Sequence, residues 1–209
     1  FILGVATDKN YQRQGMMKKL MNHVLGLPKY QNAKIMLQAY HPELYYQFGF
    51  NEDYFHKITK VDIQSYSAPS KLRVIENYNY NKLVNLYNCF CENFNGYRKR
   101  DIEYYNNYLI PRCMAFKEEI KVFYHDIKAV GYVIYSEDAT TIKISEIIYL
   151  NQNELNEILN YFGNFNKEII IESDLQAKIN GECTFICTML TNFLKNNCQD
   201  NNFYINECL

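Results

Sequence analysis

The stretch from Gly4 to Met21 constrains the fold more than any other part of the chain. An apolar run, Phe1-Ile2-Leu3-Gly4-Val5-Ala6, passes through the polar segment Thr7-Asp8-Lys9-Asn10. It then enters a pattern in which Met16, Met17, Leu20, Met21, Val24 and Leu25 recur at helical spacing. This predicts a strand over 1–6, a turn at 8–10 and a helix from 11 or 12 to 25, ended by Gly26 and Pro28. A strand followed by a helix has to bury both apolar faces together, which is the start of an α/β arrangement. Gly15 falls in the first turn of that helix. The free N–H groups of a first turn carry partial positive charge and gather an anion such as a pyrophosphate. A glycine there lets the anion approach the backbone closely. Gln12, Arg13 and Gln14 add donors and one cation. The spacing alone is equally that of an ordinary strand, turn and helix. Neither the Walker glycine pattern nor the dinucleotide-binding one is present.

The same reading continues down the chain. It predicts a strand over 33–39, then a short helix led by Pro42, carrying Leu44, Tyr45 and Phe48 and stopped by Gly49, then a strand over 55–63. Residues 65–70, with Pro69, read as a linker. A strand over 71–76, a helix over 80–94, an Asn95-Gly96 turn and a helix over 101–109 follow. Strands over 120–124, 129–135 and 141–149 have hairpin-like connections. A helix over 152–162 and a strand over 168–172 come next. Beyond Asp174 the pattern predicts a helix over 185–194 and a strand over 203–205.

Composition narrows the function classes. The 209 residues allow one or two domains, and 48% hydrophobic with 22% charged is ordinary for a folded chain. A net charge of −1 argues against a general nucleic-acid binder. No apolar run reaches the roughly 18–20 residues of a membrane span. The seven cysteines contain no CxxC pair, and Cys183 and Cys187 stand at helical i,i+4 spacing. They read as reduced cysteines of a cytosolic protein, with no metal site. The opening on a strand interior, without Met and without signal-peptide order, leads us to expect an upstream part of the first domain.

The hexapeptide Gln12-Arg13-Gln14-Gly15-Met16-Met17 resembles the acetyl-CoA signature of the GNAT superfamily of N-acetyltransferases. That signature is Gln or Arg, two residues, Gly, one residue, then Gly or Ala. Met17 departs at the last position. A larger residue there, together with Gly4-Val5-Ala6-Thr7, is similar to the enhanced-intracellular-survival (Eis-like) branch. A second segment, His41-Pro42-Glu43-Leu44-Tyr45-Tyr46-Gln47-Phe48-Gly49-Phe50, resembles the superfamily's late helix, with Leu44, Tyr45, Phe48, Gly49 and Phe50 at matching positions. The two segments lie within 1–63.

The resemblance implies an α/β fold, a GNAT-like mixed sheet flanked by helices, in two tandem units with the first truncated at its N-terminus. Residues 1–64 would be the C-terminal half of an acetyl-CoA-binding domain and 65–70 a linker. Residues 71–175 would be a second, degenerate acetyltransferase-like domain. Residues 176–209 would be a linker or the start of a sterol-carrier-like domain. The implied co-substrate is acetyl-CoA, without a metal. The implied acceptor is a primary amine, on a small molecule such as an aminoglycoside or on a lysine. A cytoplasmic homo-oligomer is implied, with no nucleic-acid or membrane partner.

By the same resemblance, the backbone of Gln12, Arg13, Gln14, Gly15, Met16 and Met17 would hold the pyrophosphate. Val5, Ala6 and Thr7 would line the pantetheine arm. Tyr45 would be the general acid, with Tyr46 as the fallback. A phenol of pKa about 10 can protonate a thiolate whose acid has a pKa of about 8.5. In this branch the terminal carboxylate is thought to reach the active site, but Leu209 ends the chain too early to be given that role. His41 and Glu43 are candidate bases, or simply an exposed helix start. His23, His56 and His125 read as structural, and Arg98-Lys99-Arg100 as a solvated loop. The alternative function is a non-catalytic CoA- or lipid-binding or interaction module on the same fold.

Overall fold

The structure, a computed structural model, describes residues 2, 4–33, 35–75, 79–192 and 204. In chain order its elements are α1 (Met16–Leu25), β1 (Met36–Leu37), β2 (Asn51–Val61), β3 (Arg73–Ile75), α2 (Tyr80–Cys91), α3 (Ile102–Tyr104), a π turn (Tyr105–Leu109), α4 (Ile110–Phe116), β4 (Glu119–His125), β5 (Lys128–Glu137), β6 (Thr141–Tyr149), α5 (Gln152–Gly163), β7 (Glu168–Ser173) and β8 (Gly181–Thr191). They divide into two units. The first holds the described residues up to Phe55 and those from Cys187 to 192; the second holds His56–Ile186 and Tyr204.

In the first unit α1 turns Met21 into a core shared with Ile35, Leu37, Tyr45, Phe50 and Leu190, and Met17 and Leu25 pack against it. β1 pairs antiparallel with the end of β8, Leu37 opposite Leu190. The Asn192 side chain accepts from the Ile35 amide at 2.9 Å and extends that contact. Two short 3₁₀ helices, Pro42–Leu44 and Tyr46–Phe48, follow β1. Gly49 ends the second at φ 81°, a conformation that favours glycine.

The second unit is built on a mixed sheet in the order β8-β2-β7-β6-β5-β4-β3. β3 through β6 pair antiparallel, β6 and β7 parallel, and β7 and β2 antiparallel. α5 is the crossover between the parallel pair, as a parallel connection requires. Its Leu155, Ile158, Leu159 and Phe162 pack on Val133, Ile142, Ile144 and Ile147. A second core joins Leu83, Leu86, Tyr87 and Phe90 of α2 to Val122, Tyr132, Ile134 and Ile148. Tyr204 is buried in that core, its amide donating to the Asn95 carbonyl at 3.1 Å and its ring 5.1 Å from Phe90.

The hairpins over 119–149, α5 and β7 stand within a residue or two of the expected bounds. Elsewhere the structure differs. The expected helix over 185–194 is strand β8 as far as Thr191; 193 and 194 lie outside the described residues. The β-branched Thr184, Ile186 and Thr191 favour a strand, and the i,i+4 spacing of Cys183 and Cys187 fits an even strand repeat as well as a helix. α1 begins at Met16, not at residue 11 or 12. The strand over 33–39 shrinks to Met36–Leu37, and of 1–6 only a parallel bridge from Ile2 to Leu37 is regular, with Phe1 and Leu3 outside the described residues.

The helix over 101–109 continues to Phe116 across Pro111. Pro111 lacks the amide that would reach the Asn107 carbonyl, and its ring crowds that turn, so the helix widens into the π turn just ahead. Of the residues read as a linker, 65 and 66 belong to a 3₁₀ helix, Ile63–Tyr66, and Tyr66 is buried, its hydroxyl accepting from the Asn180 amide at 2.9 Å. Of the strand over 203–205 only Tyr204 is described; Cys198, Cys208 and Leu209 also lie outside.

Candidate active site

The loop that leads into α1 is shaped by its own side chains. Asp8 caps the 3₁₀ turn Lys9–Tyr11 through the Asn10 amide at 2.8 Å. The side-chain amide of Gln12 donates to the Thr7 carbonyl at 3.2 Å, and that of Gln14 to the Asn10 carbonyl at 3.1 Å. Both glutamines therefore brace the loop, each keeping a second amide hydrogen. Arg13 sits at φ 61° and Gly15 at φ 72°, so the chain reverses hand twice before the helix begins. Gly15 is the residue before the helix, not a member of its first turn.

The first intrahelical bond of α1 runs from the Lys19 amide to the Gly15 carbonyl at 3.0 Å. The amides of Met16, Met17 and Lys18 precede it, and no side chain caps them. The other α-helices that start afresh among the described residues are capped. Asn79 caps α2, Asp101 caps α3, and Asn151 takes the amides of both Asn153 and Glu154 at the start of α5. α5 also has an acid, Glu154, in its first turn, whereas α1 has none and carries Lys18 and Lys19. The helix dipole disfavours cations there. The start of α1 is thus left without a side-chain cap and without an acid. A Cβ built on Gly15 would meet nothing within 4 Å, so its outer side is open.

Met17, the departure from the signature, is half-buried against Met21, Leu37 and Tyr45. Its side chain belongs to the core, which explains how a large residue fits there. Met16 is exposed. Val5 and Ala6 are exposed, Thr7 half-buried, and none of the three lies in a strand.

Tyr45 links the two 3₁₀ helices. It is 7% exposed and packs in the same core as Met17 and Met21 of α1, with its ring edge-on to Phe50 at 6.4 Å. Burial pushes its phenol above the ordinary value of 10.0. Tyr46 turns the other way. It is exposed and donates to the Glu52 carboxylate, which together with some burial pushes its phenol up to about 12. A phenol already donating to a carboxylate is a poor proton source, so the environments favour Tyr45 over Tyr46. His41 Nδ1 and the Glu43 carboxylate lie 3.2 Å apart, both exposed. Glu52, at the start of β2, is the polar neighbour that the sequence reading missed; Asn51, Glu52 and Asp53 carry no helical or metal spacing to single it out.

The second unit corrects the reading of Arg98-Lys99-Arg100. Arg98 and Lys99 are exposed, but Arg100 is buried. Its guanidinium grips Glu146 through two bonds, 2.8 and 2.7 Å, and lies 3.9 Å from the centre of the Tyr87 ring. Tyr132 donates to the same carboxylate at 2.6 Å and meets the Tyr105 hydroxyl at 3.1 Å. Burial pulls the Arg100 pKa down, and Glu146 with Tyr132 more than offsets it, holding the guanidinium charged. The sequence signal was Glu146 itself, a charge between Ile144 and Ile147 in β6, which when buried has to find a partner. His56, read as structural, is buried, its Nδ1 3.4 Å from Glu172. Among the described residues no group of three His, Cys, Asp or Glu side chains could hold a metal ion. No described helix is long and apolar enough to cross a membrane.

Gly15→Ala tests the cradle. A left-handed residue with a Cβ costs roughly 1–2 kcal/mol. We expect that loss in a urea titration and, in calorimetry, a weakening of CoA binding by about tenfold, or ~1.4 kcal/mol. Unchanged CoA affinity would remove the loop from the binding site.

A family model described as acetyltransferase (GNAT) domain matches residues 1–52. No curated protein matches the chain in sequence. Among solved structures, a conserved protein of unknown function from Enterococcus faecalis is similar at 18% identity and a TM-score of 0.66, over 90% of this chain and 52% of that one. A GCN5-related N-acetyltransferase from Anabaena variabilis is similar at 15% identity and a TM-score of 0.66, over 90% and 53%. The Eis1 protein of Mycobacterium abscessus is similar at 12% identity and a TM-score of 0.61, over 90% and 54%. The chain spans about half the length of these structures. Its fold is that of the GNAT acetyltransferases.

Proposed function

We propose that the chain carries the acetyl-CoA site of an N-acetyltransferase of the Eis-like branch, acting on a primary amine. The observation that carries this reading is the uncapped, acid-free start of α1 behind Gly15, which shares one core with Tyr45. The amides of Met16, Met17 and Lys18 hold the pyrophosphate, and Arg13 adds a cation. Val5, Ala6 and Thr7 lie along the pantetheine arm. Acetyl-CoA supplies the acetyl thioester. A neutral amine attacks the acetyl carbonyl, the C–S bond breaks, and Tyr45 gives its hydroxyl proton to the sulfur. The amine loses one proton to water or a nearby base. An aminoglycoside or a lysine is the acceptor class. We read residues 71–175 as a second, degenerate acetyltransferase-like domain. Asn151 and Glu154 close the start of α5 to an anion, in keeping with that reading. The protein acts as a cytoplasmic homo-oligomer.

A CoA-binding module without turnover is the second reading. It is favoured by the burial of Tyr45, which leaves little of the side chain accessible. The test is to incubate the chain with acetyl-CoA and a panel of amines, follow thiol release, and titrate CoA by calorimetry. The enzyme reading expects release with at least one amine and one CoA bound per chain. Binding without release supports the second reading, and neither binding nor release overturns both.

A further inference from the structure

We infer that the buried Arg100–Glu146 pair chooses the register of the second unit's sheet. β5 and β6 meet in two registers: Ile134 lies opposite Glu146, while Tyr135 lies opposite Ile144, so Ser145 is one residue in excess. Such a bulge places two successive side chains on one side of a strand. Ahead of it Ile142 and Ile144 enter the core beneath α5. After it Ile147 takes that place, and Ile148 turns to the core beneath α2. Ser145 and Glu146 therefore share the α2 side.

The apolar residues do not fix where the excess residue sits. With the bulge one step earlier, Ser145 would turn to the α5 side. With the bulge one step later, Glu146 would turn there instead. In all three arrangements Ile142, Ile144, Ile147 and Ile148 keep their places, because the strand period of two is broken once somewhere between Ile144 and Ile147. Only the two polar residues distinguish the arrangements, and both are held. Ser145 Oγ donates to Glu118 Oε1 at 2.6 Å. Glu146 takes two bonds from Arg100 and one from Tyr132. The core beneath α5 is largely apolar, and the Lys121 ammonium lies against the Tyr135 ring at 5.1 Å, so a carboxylate turned into it would lose both bonds to Arg100 and leave that guanidinium buried without them. The ion pair thus excludes the later arrangement and the Ser145–Glu118 bond the earlier one, a role for buried charge distinct from added stability.

The test is the full chain carrying Arg100→Met together with Glu146→Leu, which removes both charges at similar volume. Backbone amide NMR reads the register. The wild type should give one set of signals. The double variant should keep a urea midpoint near the wild type and show a second set of signals confined to residues 143–147 and their partners 134 and 135. One set of signals with residue 146 still opposite Ile134 overturns the inference. So does a double variant that fails to fold, since the pair would then supply stability and not choice.

Discussion

Tyr45→Phe should lower turnover with the best amine by about 10²–10⁴-fold, the usual contribution of a positioned general acid, with CoA affinity within about twofold of wild type. Phenylalanine keeps the ring that packs edge-on to Phe50 and beside Met21 and Leu37, so the fold has no reason to respond. What disappears is one hydroxyl. Because burial pushes the Tyr45 phenol above the ordinary 10.0, the group stays protonated, and able to donate, beyond the pH at which a free tyrosine ionises. Activity that depends on it should therefore not fall on its account below about pH 10. An alkaline fall at lower pH belongs to another group and should survive in Tyr45→Phe. Turnover equal to wild type in this variant would end the assignment. Tyr46→Phe is the companion measurement: it breaks the contact with Glu52 and should leave the chemical step within a few-fold of wild type. A loss confined to Tyr46→Phe would transfer the role to the exposed phenol.

The parts of the molecule legible in the sequence are those in which local pattern and tertiary packing agree. The strands β4, β5 and β6 are largely apolar runs bounded by turns, β4 and β5 buried on both faces, and α5 recurs with the helical period and buries the face that period marks. Gly49 stops its helix as expected, in left-handed backbone, whereas Gly15, expected inside the first turn of α1, stands in left-handed backbone just before it. The departures come from contacts distant in sequence. β8 carries helix-compatible spacing, yet Leu190 and Thr191 pair with β1 more than 150 positions earlier, and that pairing fixes a strand. Arg100 sits in a run of basic residues that looks solvated until Glu146, 46 positions away, is seen beneath it. The candidate acid was identified by its place in a motif. Its burial, and the diversion of its neighbour to Glu52, could not be read from two adjacent tyrosines among twenty.

Arg100→Met alone should destabilise the second unit by about 3–5 kcal/mol, because it removes one partner of a buried pair and leaves the other charged. The Glu146 side chain is 1% exposed, so its carboxylate cannot turn to water when the guanidinium is gone. Tyr132 still donates one bond, but the two from Arg100 are lost together with the contact to the Tyr87 ring at 3.9 Å. Arg98→Met is the control, two positions away and exposed, where losing its stacking on the Tyr104 ring at 4.6 Å costs about 0.5–1 kcal/mol. Urea titrations of the two variants, followed by far-UV circular dichroism, should separate clearly, with Arg100→Met unfolding at much lower denaturant. The contrast with the double variant decides what the pair is for. If the single change is costly and the double change is not, the penalty is that of an orphaned charge, and the pair's own contribution lies in where it places the bulge. If Arg98→Met and Arg100→Met differ by less than about 1 kcal/mol, the carboxylate has found water or a proton, and the buried network does not hold the loop before α3 to the sheet.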